Sequence, residues 1–206
     1  MAAGDLQIGQ VASTGVGDGT SRAPRGGRYG AQAVMTTHGK YFDSVDAGRC
    51  FMCAQQAAAA LGTALTATAV TVTLYNPIGS GKNLVLLQAT LAVVVGTTAG
   101  QVVYAVNDNI AAAIPATNTE LTVRNCKLGG GEASMGKIYS VTTLPAAPVA
   151  VRVLAGIIST TPGGVHNFVD DVDGAIILQE NTAVTIQGIT TNATGQIGLM
   201  WEQVSP

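Results

Sequence analysis

The chain has 206 residues, 47% hydrophobic and only 11% charged, with net charge −2 and a pI near 5.5, so it can bury one sizeable core. The near-neutral balance excludes general electrostatic attraction to nucleic acid or anionic membrane, and aromatics at 4% exclude a platform for stacking bases. A charged fraction far below the usual ~25% points to a surface covered in part by other chains, or kept polar by Thr, Asn, Gln and Ser.

In chain order, residues 1–48 read as an extended N-terminal arm, polar and glycine-rich up to roughly Lys40 and almost without hydrophobic periodicity. Such a segment buries too little apolar area to offset its own ordering entropy; it is either disordered or ordered by a partner. Five of the ten basic residues (Arg22, Arg25, Arg28, Lys40, Arg49) lie in the first quarter of the chain. The three arginines at 22–28 neutralise too few phosphates for more than weak nucleic-acid binding, and they suit bidentate pairing with carboxylates of a protein partner.

Residues 49–206 form the expected body. Strands are predicted near Val34–Tyr41, Cys50–Ala54, Ala67–Leu74, Leu84–Val95, Gln101–Val106 and Leu121–Lys127. Four more follow near Ala150–Ile158, Ala175–Leu178, Ala183–Ile189 and Gly195–Val204, all from dense Val, Ile, Thr and Leu between turn residues. Thr68–Tyr75 alternates apolar and hydroxyl side chains, which predicts one face on a core and one in water. Ala54–Leu65 has the composition for a turn or two of helix. Strands without alternating helices predict an all-β antiparallel sandwich of jelly-roll type rather than a parallel α/β sheet.

Several motifs invite chemistry and are better read as structure. Gly79-Ser80-Gly81-Lys82 lacks the earlier glycine and the following Ser or Thr of a phosphate loop, and a strand rather than a helix follows, so it reads as a hairpin turn. Cys50 and Cys53 have redox or half-zinc spacing, but strand alternation puts them on opposite faces, and Cys126, His38 and His166 do not complete a zinc set. Reduced, partly buried thiols are expected. Asp170, Asp171 and Asp173 lack the later ligands of a calcium loop and read as a solvated acidic turn before a strand. The two histidines sit beside turn residues, and no serine has a nucleophile-elbow context.

Asn192-Ala193-Thr194 matches a glycosylation acceptor, but no basic start followed by an apolar stretch marks a secretory signal, so folding in a cytosol is expected. The longest apolar run, Leu84–Val95, is broken by Gln88 and Thr90 and falls short of the ~20 residues of a membrane span.

Two stretches carry a family resemblance. Leu74 to Leu87, with Asn76-Pro77-Ile78-Gly79-Ser80-Gly81 between two strands, resembles a corner of jelly-roll virion proteins of tailed bacteriophages. Asp173 to Gly188, with Gly198 to Val204 and its Trp201-Glu202 pair, is similar to their closing hairpins. Together the two cover roughly a quarter of the chain. The resemblance implies a capsid decoration (cement) protein: a homotrimer on the outside of the head, contacting the major capsid protein, with no catalytic residue and no cofactor. It would be made in the host cytoplasm and located at the virion surface. Arg22, Arg25, Arg28, Tyr29, Tyr41 and Phe42 are the expected partner contacts. The alternative is a fibre or receptor-binding module presenting loops Asn107–Glu120 and Lys127–Lys137 to a host glycan; an enzyme would need a convergent acid, base or nucleophile set that is not readable.

Overall fold

A computed structural model describes residues 39–68, 70–95, 98–108, 119–157 and 166–206. Residues Tyr41–Pro206 form one compact unit. Arg22, Arg25, Arg28, Tyr29, His38 and most of the strand expected at Val34–Tyr41 lie outside the described residues; the end of that segment, Lys40 and Tyr41, is a turn.

The described residues begin with a helical turn, α1 (Phe42–Asp46), then strands β1 (Cys50–Ala54), β2 (Ala59–Ala60), β3 (Val70–Asn76), β4 (Asn83–Val95), β5 (Gly100–Asn107) and β6 (Thr119–Glu120). After these come β7 (Arg124–Asn125), β8 (Lys137–Thr142), β9 (Val149–Ile157), β10 (His166–Leu178), β11 (Thr182–Ile189) and β12 (Thr194–Val204). They make an all-β sandwich of two antiparallel sheets. The front sheet runs β10-β4-β12-β1-β7, with β2 beside β12, and the back sheet runs β6-β8-β3-β11-β5-β9. The pairing of the long strands is nested: β1 with β12, β3 with β11, β4 with β10 and β5 with β9. Pairs β12–β4 and β11–β5 then link these pairs within each open sheet.

One core fills the space between the sheets. Phe51, Leu84, Leu86, Leu91, Ile197 and Trp201 enter it from the front sheet, and Val72, Leu74, Tyr104, Ile138 and Ile186 from the back. Trp201 stacks on Phe51 across the β1–β12 pair, with ring centroids 6.2 Å apart.

Five local expectations are corrected. First, β3 is buried on both faces, where alternation predicts one wet face. The reason is a second covering layer: Thr71 Oγ1 donates to the Ala60 carbonyl (2.8 Å), Leu144 N donates to Ala67 O (2.6 Å), and Gln187 exchanges hydrogen bonds with the Thr66 backbone. The Thr71 hydroxyl is thereby satisfied without water, whereas the buried Thr73 Oγ1 has no hydrogen-bond partner among the described residues.

Second, Ala54–Leu65 is extended rather than helical. The helix preference of alanine over its neighbours is a few tenths of a kcal/mol per residue. It is outweighed by backbone partners elsewhere: Leu61 N donates to Ala193 O (2.9 Å) and Thr190 N to Thr63 O (2.8 Å), with Leu61 fully buried.

Third, Leu121–Lys127 is not one strand. The chain changes sheets there, pairing with β8 at Thr119–Glu120 and with β1 at Arg124–Asn125. Leu121 and Val123 cross between and pack against the core.

Fourth, the Asp170–Gly174 stretch is not a turn before a strand but lies inside β10. It forms a bulge between Asp171, opposite Gln88, and Ile176, opposite Leu86. Asp173 (φ 52°) and Gly174 (φ 80°) take left-handed conformations there, which aspartate tolerates better than most residues and glycine adopts freely.

The corner after β3 also differs from a hairpin, because β3 and β4 belong to different sheets. It is an arch held from both ends. Asn76 Nδ2 donates to Lys82 O (2.7 Å) and Leu178 O (3.0 Å), and the Glu180 carboxylate accepts from Gly79 N (3.2 Å) and Gly81 N (2.6 Å). The glycine amides that resemble a phosphate cradle are therefore occupied by the chain's own carboxylate.

Candidate functional site

Of the expected partner contacts, Tyr41 and Phe42 fall among the described residues, at the start of the compact unit. Tyr41 ends the turn that leads into α1, and its hydroxyl donates to Asp173 Oδ1 at 2.7 Å, on the β10 bulge. Phe42, the first residue of α1, is 43% exposed. The segment from 41 to 49 is fastened to the front sheet at further points. Lys127 Nζ pairs with Asp46 Oδ1 (3.0 Å), Asn125 Nδ2 donates to Gly48 O (2.6 Å), and Arg49 Nε pairs with Glu202 (3.0 Å). A helix of five residues has little stability of its own, so these side-chain ties hold it in place.

The three aspartates of β10 diverge instead of converging on one point. Asp170 points between the sheets, where its carboxylate accepts from Arg152 Nη2 (2.7 Å) and from the Tyr104 hydroxyl (2.9 Å). Asp171 lies on the outer face and accepts from Gln88 Nε2 (2.8 Å). Asp173 takes the Tyr41 hydroxyl. Burial, helped by the Asp170 hydrogen bond, pushes the Tyr104 phenol well above the ordinary tyrosine range.

The Arg152–Asp170–Tyr104 latch joins the edge strands of the two sheets, β9 and β10, and so defines one flank of the sandwich. Along that flank Val149, Val151, Val153, Val169 and Ile177 stand 52% to 67% exposed. The neighbouring Val94 and Val95, at the end of β4, are also exposed. β9 carries two bulges, after Val102 and after Tyr104 in its partner β5, which bend the edge and interrupt its open backbone. Sequence reading identified β9 as a strand but not as an edge. The local pattern, valine at 149, 151 and 153 alternating with Ala150 and Arg152, marks a strand with one apolar face and carries no sign of an edge.

A concavity of about 420 Å³ opens between residues 120–125 and 132–137. Phe51, Leu121 and Val123 line its floor, with Glu120, Glu132 and Lys137 at the rim. The Trp201 Nε1 proton, behind Gly136, has no hydrogen-bond partner among the described residues. His166 begins β10 and stacks on Phe168, with centroids 6.5 Å apart. Cys50 and Cys53 are both buried, on opposite faces of β1 as alternation requires, and burial pushes the Cys53 thiol up to about 11.

Comparison with protein families, with curated proteins and with solved structures finds no match to this chain.

Proposed function

We propose that this chain is a virion structural protein: a capsid decoration, or cement, protein that binds the outside of a tailed-phage head and bridges major capsid subunits. The observation that carries this reading is the β9–β10 flank, where five β-branched side chains are more than half exposed on a chain with 11% charged residues. Apolar edges of this kind template aggregation unless a partner covers them, and a second copy in a homotrimer would do so. The nested strand pairing supports a sandwich of jelly-roll type, as the resemblance of Leu74–Leu87 and of the carboxyl end implies.

In this reading the work is mechanical and needs no cofactor. The body sits over junctions between capsid subunits, and the arm, with Arg22, Arg25, Arg28 and Tyr29, reaches from its root at Tyr41 and Phe42 to the shell or to neighbouring copies. Repeated weak contacts on a lattice gain by avidity, so single contacts need not be strong. The bridging resists outward pressure from packaged DNA.

The test is quantitative mass spectrometry of purified particles, counting this chain against the major capsid protein. About one copy per capsid subunit supports the cement reading, and absence from particles overturns it. The concavity between 120–125 and 132–137, within the size range of small-ligand sites, favours one rival: a fibre or receptor-binding module. That reading predicts a few dozen copies or fewer. Removal of residues 1–30 should weaken head binding, and unchanged binding would remove the arm's role.

A further inference from the structure

We propose that Cys50 and Cys126 form a cross-strand disulfide when the folded protein meets a small-molecule disulfide oxidant. The register carries this. Phe51 opposes Asn125 and Met52 opposes Arg124, so the next pair outward is Cys50 with Cys126, and Cys126 N donates to Cys50 O at 2.9 Å. Directly opposed antiparallel residues have Cα atoms about 4.5–5.5 Å apart, inside the ~4.4–6.8 Å window that a disulfide needs.

The facing also agrees. Asn125 and Phe51 line the same concavity on the inner side. Alternation therefore puts Cys126 and Cys50 together on the outer face, under α1, where Ser44 hydrogen-bonds the Cys50 sulfur. The two thiols sense one another. Burial first, then the neighbouring Cys126, pushes the Cys50 thiol up to about 12, and burial also raises Cys126. Cys53 has no such neighbour: its side chain enters the core between the sheets.

The chemistry proceeds by two exchanges. Cys126 is only partly buried, so its thiolate attacks one sulfur of the oxidant, forming a mixed disulfide and releasing one small thiolate. Cys50 then loses its proton to solvent and attacks Cys126 Sγ, which expels the second small thiolate. Two protein thiols are oxidised and one disulfide is reduced to two thiols. Because both protein thiols are raised, the reaction is slow at neutral pH and accelerates as pH rises. The bond would tie the 126–132 segment to β1 beside α1.

The experiment incubates the full chain with oxidised glutathione, blocks residual thiols by alkylation under denaturing conditions, and maps the peptides. The expected result is a loss of two hydrogens from the intact mass, a Cys50–Cys126 linked peptide, and Cys53 alkylated. Cys53→Ala retains the link, and Cys126→Ser, with its fold checked by circular dichroism, loses it. If Cys126→Ser does not fold, the peptide map of the unaltered chain decides alone. Three alkylated cysteines, a persistent glutathione adduct on Cys126, a bond using Cys53 or a bond between copies would each overturn the proposal.

Discussion

Replacing Asp170 by alanine cuts the latch between the two edge strands. The Tyr104 hydroxyl, on a residue 0% exposed, loses its acceptor, and a buried donor left unsatisfied costs about 1–3 kcal/mol. The Arg152 ion pair adds less. Its side chains are 37% and 19% exposed, so solvent screening holds it to about 0.5–1 kcal/mol. The sum is about 1.5–4 kcal/mol. With a urea m-value of about 2 kcal/mol/M, the unfolding midpoint should fall by about 0.8–2 M at unchanged slope.

The double variant separates the two contributions. Tyr104→Phe alone removes a satisfied bond and is mildly destabilising, whereas in the Asp170→Ala background it removes an orphaned donor and becomes neutral or stabilising. Coupling of about 1–2 kcal/mol is expected between the two sites. Strict additivity, or a midpoint shift below about 0.2 M for Asp170→Ala, would refute the latch. The same geometry makes a pH prediction. The folded chain keeps the Tyr104 proton to higher pH than the unfolded chain does, because burial and Asp170 both raise it. This contribution is complete below the ordinary tyrosine range near ~10 and is lost as pH rises beyond it, so Tyr104→Phe should show a shallower alkaline loss of stability.

Trp201 is the only tryptophan and is fully buried, so its fluorescence reports the core, and Trp201→Ala should cost about 3–5 kcal/mol in thermal or urea unfolding. Glu180 is held below the usual carboxylate range by the backbone N–H groups of Gly81 and then Gly79. Its contribution is therefore complete above ~4.3 and lost as pH falls through the lower folded value, and Glu180→Gln should flatten the acid limb of the stability curve. On the proposed homotrimer, Val151→Asp with Val153→Asp should leave the subunit's own stability within about 0.5 kcal/mol and abolish the self-association that reading expects in sedimentation velocity. Unchanged association would put the subunit contact elsewhere.

Much of the sandwich was readable as local pattern. Strands β1, β4, β5, β9, β11 and β12 were located to within a residue or two because β-branched density and flanking turn residues are properties of contiguous sequence. β8 could have been found the same way, from Ile138-Tyr139-Ser140-Val141-Thr142, but its short length between a glycine loop and Pro145 hid it. At the start of the compact unit, Tyr41 and Phe42 are recognisable as aromatics beside a polar stretch of sequence.

Their surroundings were not recognisable, because a partner across a sheet lies far away in the chain. Tyr41 meets Asp173, Arg152 meets Asp170, and Cys50 meets Cys126, each through strand register rather than local spacing. The same holds for burial. Thr71, Thr73 and Thr185 look like a wet face until residues 60–67 and 144–146 cover that side of the back sheet. Residue type and period thus determined which segments are strands. Which strands became edges, which faces became dry and which polar groups met depended on the order in which the twelve strands of the described residues paired, since each pairing fixes the neighbours of both its members.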